Sequence, residues 1–171
     1  MLATLCVVAV NPSPDTTLSS LEGESRPVEE WLTTFHLASV VLDPYTNESA
    51  WILPTAVRIL NGFRGSDARV SFVLTCTKAE AREFLGPLAD DFLAFADPDR
   101  VFVKQLGLSE LPAFVFLRTD GTVAASAEGW NGSEWRAVAD AIAKSCAWSR
   151  PNMPVASDPG PFHGTPALAP S

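Results

Sequence analysis

Leu111-Pro112-Ala113-Phe114-Val115-Phe116-Leu117-Arg118-Thr119-Asp120-Gly121-Thr122-Val123 is the stretch on which the fold reading turns. Its apolar run, Ala113 to Leu117, reads as a buried strand, with Pro112 at the head, where a missing N–H costs least. Asp120-Gly121 is a hairpin signal, because both residues tolerate the positive φ angles that a tight reversal needs. A second strand then runs from Val123 to Glu128, and Gly129 closes it. The C-terminal part of the sheet is therefore an antiparallel hairpin, and a final helix starts at Ser133 with Trp135, Val138 and Ile142 on its apolar positions.

Upstream, strands and helices alternate. Leu2 to Val10, within a first strand over 1–11, ends at the turn residues Asn11-Pro12-Ser13-Pro14, and a polar connection over 12–26 follows. Ser25 and Pro27 open a helix with Val28, Trp31, Leu32 and Phe35 on one face. Leu37 to Leu42 is a strand stopped by Asp43-Pro44. A helix from Asn47 to about Phe63 carries Trp51, Ile52, Val57, Ile59 and Leu60, with Gly62 and Gly65 ending it. Arg69 to Thr75 is the next strand, and Thr77-Lys78-Ala79-Glu80 is a capping box for a helix to about Leu85. An irregular stretch around Asp97-Pro98-Asp99 leads to a helical turn from Phe102 to Leu106. This order implies an α/β fold with a mixed sheet and helices on both faces.

The bulk numbers agree. Over 171 residues, 47% are hydrophobic and 19% charged, enough to build a real core. A net charge of -8 with no Lys/Arg cluster argues against nucleic acid and anionic membrane partners. The early apolar run lacks basic flanks and a cleavage pattern, and is too short to span a bilayer, which points to the cytoplasm. Cys6, Cys76 and Cys146 are widely spaced and odd in number, as expected in a reducing compartment. No Cys/His/carboxylate grouping has metal-ligand spacing, so neither metal nor cofactor is expected. The domain is placed at 1–148. Beyond it, the Pro-rich stretch 149–171 reads as a disordered tail, since it lacks the apolar periodicity to offset its ordering entropy.

Two sets of residues together resemble the thioredoxin-like superfamily over roughly Val28 to Lys144. The first is the Leu111-Pro112 hairpin with Gly107 and Gly129. The second is the junction Asp43-Pro44-Tyr45-Thr46-Asn47-Glu48-Ser49 with Pro54 five residues on. The resemblance implies a three-layer α/β/α sandwich, a cis peptide before Pro112, and a backbone shelf there for an extended substrate peptide. It also implies a Cys-x-x-Cys at the junction. Counting back from Pro54, Thr46 and Ser49 occupy the two cysteine positions, and Val40 stands where the family carries a buried acid. Dithiol exchange needs an attacking thiolate and a resolving thiol, and a hydroxyl supplies neither. Thr46 and Ser49 are read instead as capping the amides of the following helix.

Three functions follow from these residues. The favoured one is a non-catalytic binding or scaffolding module, with Thr46, Asn47, Glu48, Ser49, Leu111 and Pro112 as its recognition edge for a protein or peptide partner. A second is a single-thiol redox protein using Cys76, which ends a strand at the same sheet edge and precedes the Thr77 capping box, where a helix N-terminus favours a thiolate. A third is a glutathione-type thiol binder acting through Ser49. Cys6 is read as core and Cys146 as inert at a helix end. Asp43 and Glu48 are read as a solvated turn.

Overall fold

Residues along the central strands alternate between two separate apolar layers, and that alternation builds the three-layer fold. The computed structural model describes residues 9–168. In chain order the elements are β1 (Thr17–Ser20), β2 (Ser25–Pro27), α1 (Val28–Trp31), β3 (His36–Leu42), α2 (Asn47–Asn61), β4 (Ala68–Leu74), α3 (Lys78–Leu85), α4 (Leu88–Asp91), β5 (Leu93–Ala96), α5 (Val101–Leu106), β6 (Glu110–Leu111), β7 (Ala113–Leu117), β8 (Val123–Glu128), α6 (Gly132–Cys146) and β9 (Thr165–Pro166).

A seven-stranded sheet has the order β2-β1-β5-β4-β3-β7-β8. β3, β4 and β5 are parallel, while β7 runs antiparallel to β3 and β8 antiparallel to β7. On β3, Ala38, Val40 and Leu42 face the layer that holds Ile52 and Ile59 of α2 and Trp135, Val138 and Ile142 of α6. Leu37 and Val41 face the other layer, with Trp31 of α1 and Phe102, Val103 and Leu106 of α5. Period-two strands and amphipathic helices thus sort the side chains into these two layers. Ser39 and Ser71 are buried opposite each other on β3 and β4, and their hydroxyls satisfy one another at 2.7 Å.

The hairpin β7–β8 and helices α2, α3 and α6 lie where the sequence places them. The Thr77–Glu80 capping box is formed, with the Glu80 amide donating to Thr77 Oγ1. Elsewhere the structure differs. The expected first strand and Cys6 fall largely outside the described residues. Ala9 and Val10 belong to no strand, their amides donating to Ser126 Oγ and to the Leu106 carbonyl. The polar connection 12–26 contains a strand pair, β1 with β2, that buries only every second residue (Leu18, Ser20) and turns at Gly23, whose φ is +100°. The helix expected from Pro27 is a single turn, because the β-branched pair Thr33-Thr34 that follows is poor in helices. β5 is four residues long and half alanine, too short and too bland to announce itself beside α4.

The largest correction concerns the Pro-rich tail. Residues 149–168 lie along the domain. Met153 and Ala167 are buried, and Asp158 is clamped by Arg58 Nη2 at 2.7 Å, Thr55 Oγ1 at 2.8 Å and the Val155 amide at 2.8 Å. Close approach to α2 and α6 is possible only because Gly62 and Gly132 present no Cβ: one added there would sit 2.3 Å from Pro151 and 2.7 Å from Pro154. Burial opposes the Asp158 charge, but the amide, guanidinium and hydroxyl donors together hold its carboxyl below the ordinary carboxylate range.

A carboxyl depressed on folding adds stability that is present above its unfolded pKa and is lost as pH falls through the folded value. Asp158→Asn is therefore expected to cost about 2 kcal/mol near neutrality, the range of a charge-assisted hydrogen bond. The loss, read from urea midpoints, should shrink as the medium is acidified; an equal loss at every pH would contradict the ion-pair assignment.

Candidate functional site

Strand register brings the sequence-selected residues to one end of the sheet. Leu42 pairs with Leu74, and the Thr75 amide continues to the Leu42 carbonyl at 3.1 Å, so Asp43 and Cys76 leave adjacent strands together. On the other side Val41 pairs with Ala113, which sets Pro112 at the same end. This is the C-terminal edge of the parallel strands, the usual ligand edge of open α/β sheets.

At the junction, Asp43 is buried and organises the turn. Its Oδ1 accepts from the Tyr45 amide at 3.1 Å, its carbonyl from Thr46 Oγ1 at 2.9 Å, and its own amide donates to Ser49 Oγ at 2.9 Å. Thr46 stands at the N-cap position of α2 without donating or accepting a cap bond, so the hydroxyls expected to cap the helix are consumed in the turn that precedes it. Ser49 is fully buried. Asn47 is exposed and Glu48 half-buried in the first turn of α2, where a negative charge suits the helix N-terminus. Pro54 lies inside α2.

Asp43 Oδ2 pairs with Arg100 Nη2 at 3.0 Å, with side-chain exposures of 7% and 12%. So Asp43 is not the solvated turn residue read from the sequence. Arg100 takes a left-handed backbone (φ 57°) at the start of α5, and its other terminal nitrogen donates to the Ala167 carbonyl. Sequence reasoning missed Arg100: a single arginine after Pro98-Asp99 has no period, partner or motif to mark it.

Cys76 lies at this edge but is 1% exposed, and its thiol is pushed up to about 12. Burial is the main cause, followed by the carboxylates of Glu80 and Asp43. The capping box that was expected to favour a thiolate works against it: Glu80 folds back to the Thr77 amide at 3.2 Å and carries its charge toward Cys76. Tyr45, 63% exposed, donates to Glu80 Oε2 at 2.8 Å, and this bond above all raises its phenol to about 12. Cys146 is half-buried at the end of α6, its thiol also raised, chiefly by burial. Trp130 and Trp135 are buried in the core, 5.2 Å apart edge to face. Among the described residues, no group of three or more His, Cys, Asp or Glu is placed to hold a metal ion.

The shelf before Pro112 is in use. The Leu111–Pro112 peptide is cis, and β6 pairs antiparallel with β9, Leu111 opposite Thr165 and Glu110 opposite Pro166. The Ala167 amide extends the pairing to the Ser109 carbonyl at 2.9 Å. The edge read from sequence as open to a partner is paired with the chain's own tail.

Alkylation of folded protein should show Cys76 unreactive at pH 7 to 9, with its rate still climbing above pH 10. A titration step below about 8.5, the value of a free thiol, would contradict the buried, carboxylate-flanked environment.

No family model matches the chain, and no curated protein matches it. Solved structures do. DsbF of Mycobacterium tuberculosis is 15% identical, with a TM-score of 0.62 over 77% of this chain and 95% of its own. The thioredoxin domain of a thiol-disulfide oxidoreductase from Bacteroides vulgatus is 12% identical, with a TM-score of 0.61 over 83% and 99%. A hypothetical protein from Sinorhizobium meliloti is 14% identical, with a TM-score of 0.63 over 93% of each chain. At these identities the likeness is one of fold. With its β3–α2 junction, its Pro112 shelf and its terminal hairpin in one mixed sheet, the chain has the thioredoxin-like fold.

Proposed function

We propose that this protein is a non-catalytic binding module that recognises an extended peptide segment along β6, Pro112 and the Thr46–Ser49 turn. The observation that carries this reading is the pairing of Leu111 with an extended segment, main chain to main chain. Strand addition of this kind takes its affinity from backbone bonds and its selectivity from the alternate side chains. The chemistry of the edge supports the same reading. Hydroxyls stand at 46 and 49, both engaged within the junction turn. The remaining thiol at this edge, Cys76, is buried and held protonated at neutral pH.

The single-thiol alternative needs a thiolate at Cys76, which burial, Glu80 and Asp43 all oppose. A glutathione-type ligand on Ser49 needs an accessible hydroxyl, and that of Ser49 is buried and accepts from Asp43 N–H. We read the compartment as cytoplasmic from the widely spaced, odd-numbered set Cys6, Cys76 and Cys146; Cys76 and Cys146 are free thiols. Among the described residues, no helix is long and apolar enough to cross a membrane.

Peptides selected on the folded protein from a random display library test the reading when titrated into labelled protein and followed by amide shifts. The amides of Ser109 to Leu111 and Tyr45 to Ser49 should move, while those lining the hollow at the opposite sheet end (Phe35, Arg64, Arg69) should not. Shifts clustered at that opposite end would sink the proposal, as would clear turnover in dithiol-coupled insulin reduction.

A further inference from the structure

The segment lying on β6 shows what the edge can read. Phe162 is bonded in both directions to Trp130, its amide to the Trp130 carbonyl and its carbonyl to the Trp130 amide, each at 2.9 Å. Its ring meets Trp51 edge to face, with centroids 5.7 Å apart. Two residues on, the Gly164 amide donates to Glu110 Oε1 at 3.0 Å. A Cβ there would stand 2.7 Å from the Leu111 carbonyl oxygen and 2.8 Å from Glu110 Cβ, so this position admits no side chain without a shift. Three residues further, Ala167 is 1% exposed. Its methyl lies within the apolar layer that holds Val103, Leu106 and Leu111, and its carbonyl is taken by Arg100. The intervening His163 and Pro166 are exposed. The edge therefore reads three positions, aromatic-x-Gly-x-x-Ala, and leaves most of the remainder to solvent.

The segment is also separable from its anchor. Asp158, held by Arg58, Thr55 and the Val155 amide, fixes the chain just before it. Pro159-Gly160-Pro161 then leads onto the edge, and a Cβ at Gly160 would meet nothing within 4 Å. Release of residues 160–167 breaks the Phe162–Trp130, Gly164–Glu110 and Ala167–Ser109 bonds but none at Asp158, and the Pro159 carbonyl stays held by Trp130 Nε1 at 2.7 Å.

We infer that residues 162–167 are a resident ligand of the edge, and that the partner is an extended segment of another protein carrying aromatic-x-Gly-x-x-Ala, which binds when the resident segment leaves. This rests on the binding-module reading and gives it a partner chemistry. The tether sets the competition. A segment joined by a short linker is present at an effective concentration of about millimolar, and a site that is only fractionally open binds a ligand more weakly by that fraction.

The test uses the full chain, as wild type and as Gly164→Val and Ala167→Leu, each of which crowds one reading position. A fluorescent peptide Pro161-Phe162-His163-Gly164-Thr165-Pro166-Ala167-Leu168 is the probe, and chymotryptic cleavage after Phe162 reports release of the segment. The inference expects both variants to keep the wild-type far-UV spectrum, to be cut faster after Phe162, and to bind the peptide at least about tenfold more tightly than wild type. The peptide with valine in place of its glycine should bind neither. Released variants that fail to bind the peptide overturn the inference. So do variants whose segment stays protected, and so does loss of folding in both, since the segment is then structural. If released variants bind display-selected peptides at β6 but not this one, the self-ligand inference fails and the binding-module reading stands. If they bind neither, both fail.

Discussion

One guanidinium ties three segments together at the C-terminal edge of the parallel strands. Arg100 reaches Asp43 at the end of β3 with one nitrogen and the Ala167 carbonyl with another, from a left-handed residue at the head of α5. The junction turn, the helix beneath the sheet and the tail on β6 thus share a single buried charge. Removing one member of such a pair leaves an uncompensated charge, which typically costs about 3–5 kcal/mol. Asp43 itself sets the Tyr45 and Thr46 turn and donates to Ser49, so the geometry of the β3–α2 junction depends on an ion pair and hydroxyls.

Much of this was legible in the residues. The alternation of β3, β4 and β7, the Asp120-Gly121 reversal and the Thr77–Glu80 box all report local rules that tertiary packing did not override. What stayed hidden was long-range or weakly patterned. β1, β2 and β5 are short and rich in Ser, Thr and Ala, and they exist because neighbours supply the ladder. Arg100 gains its role only when three segments converge. The tail misled for a related reason: its composition cannot build a core, but it does not need to, because Gly62 and Gly132 admit the rings of Pro151 and Pro154, and Gly129 and Gly164 let backbone approach backbone, along a surface already formed.

The same convergence places the junction hydroxyls in context. Thr46 and Ser49 are consumed within the turn before α2, while the neighbouring Pro112 shelf has its main chain paired with β9. Cys76 fits that picture as a buried filler at a strand end, its thiolate opposed by the two carboxylates that organise the turns on either side. A bare strand edge invites unspecific pairing, and β6 is covered by the chain's own β9.

Hydrogen exchange at the Ala167 and Phe162 amides tests that claim most directly, because the first donates to the Ser109 carbonyl and the second to that of Trp130. The account predicts protection at least about tenfold above a free peptide, yet exchange by local opening well ahead of the Val40 and Phe114 amides in the central strands. No protection at Ala167, or protection equal to that of Val40, would contradict it: the first means the segment is never seated, the second that it never leaves.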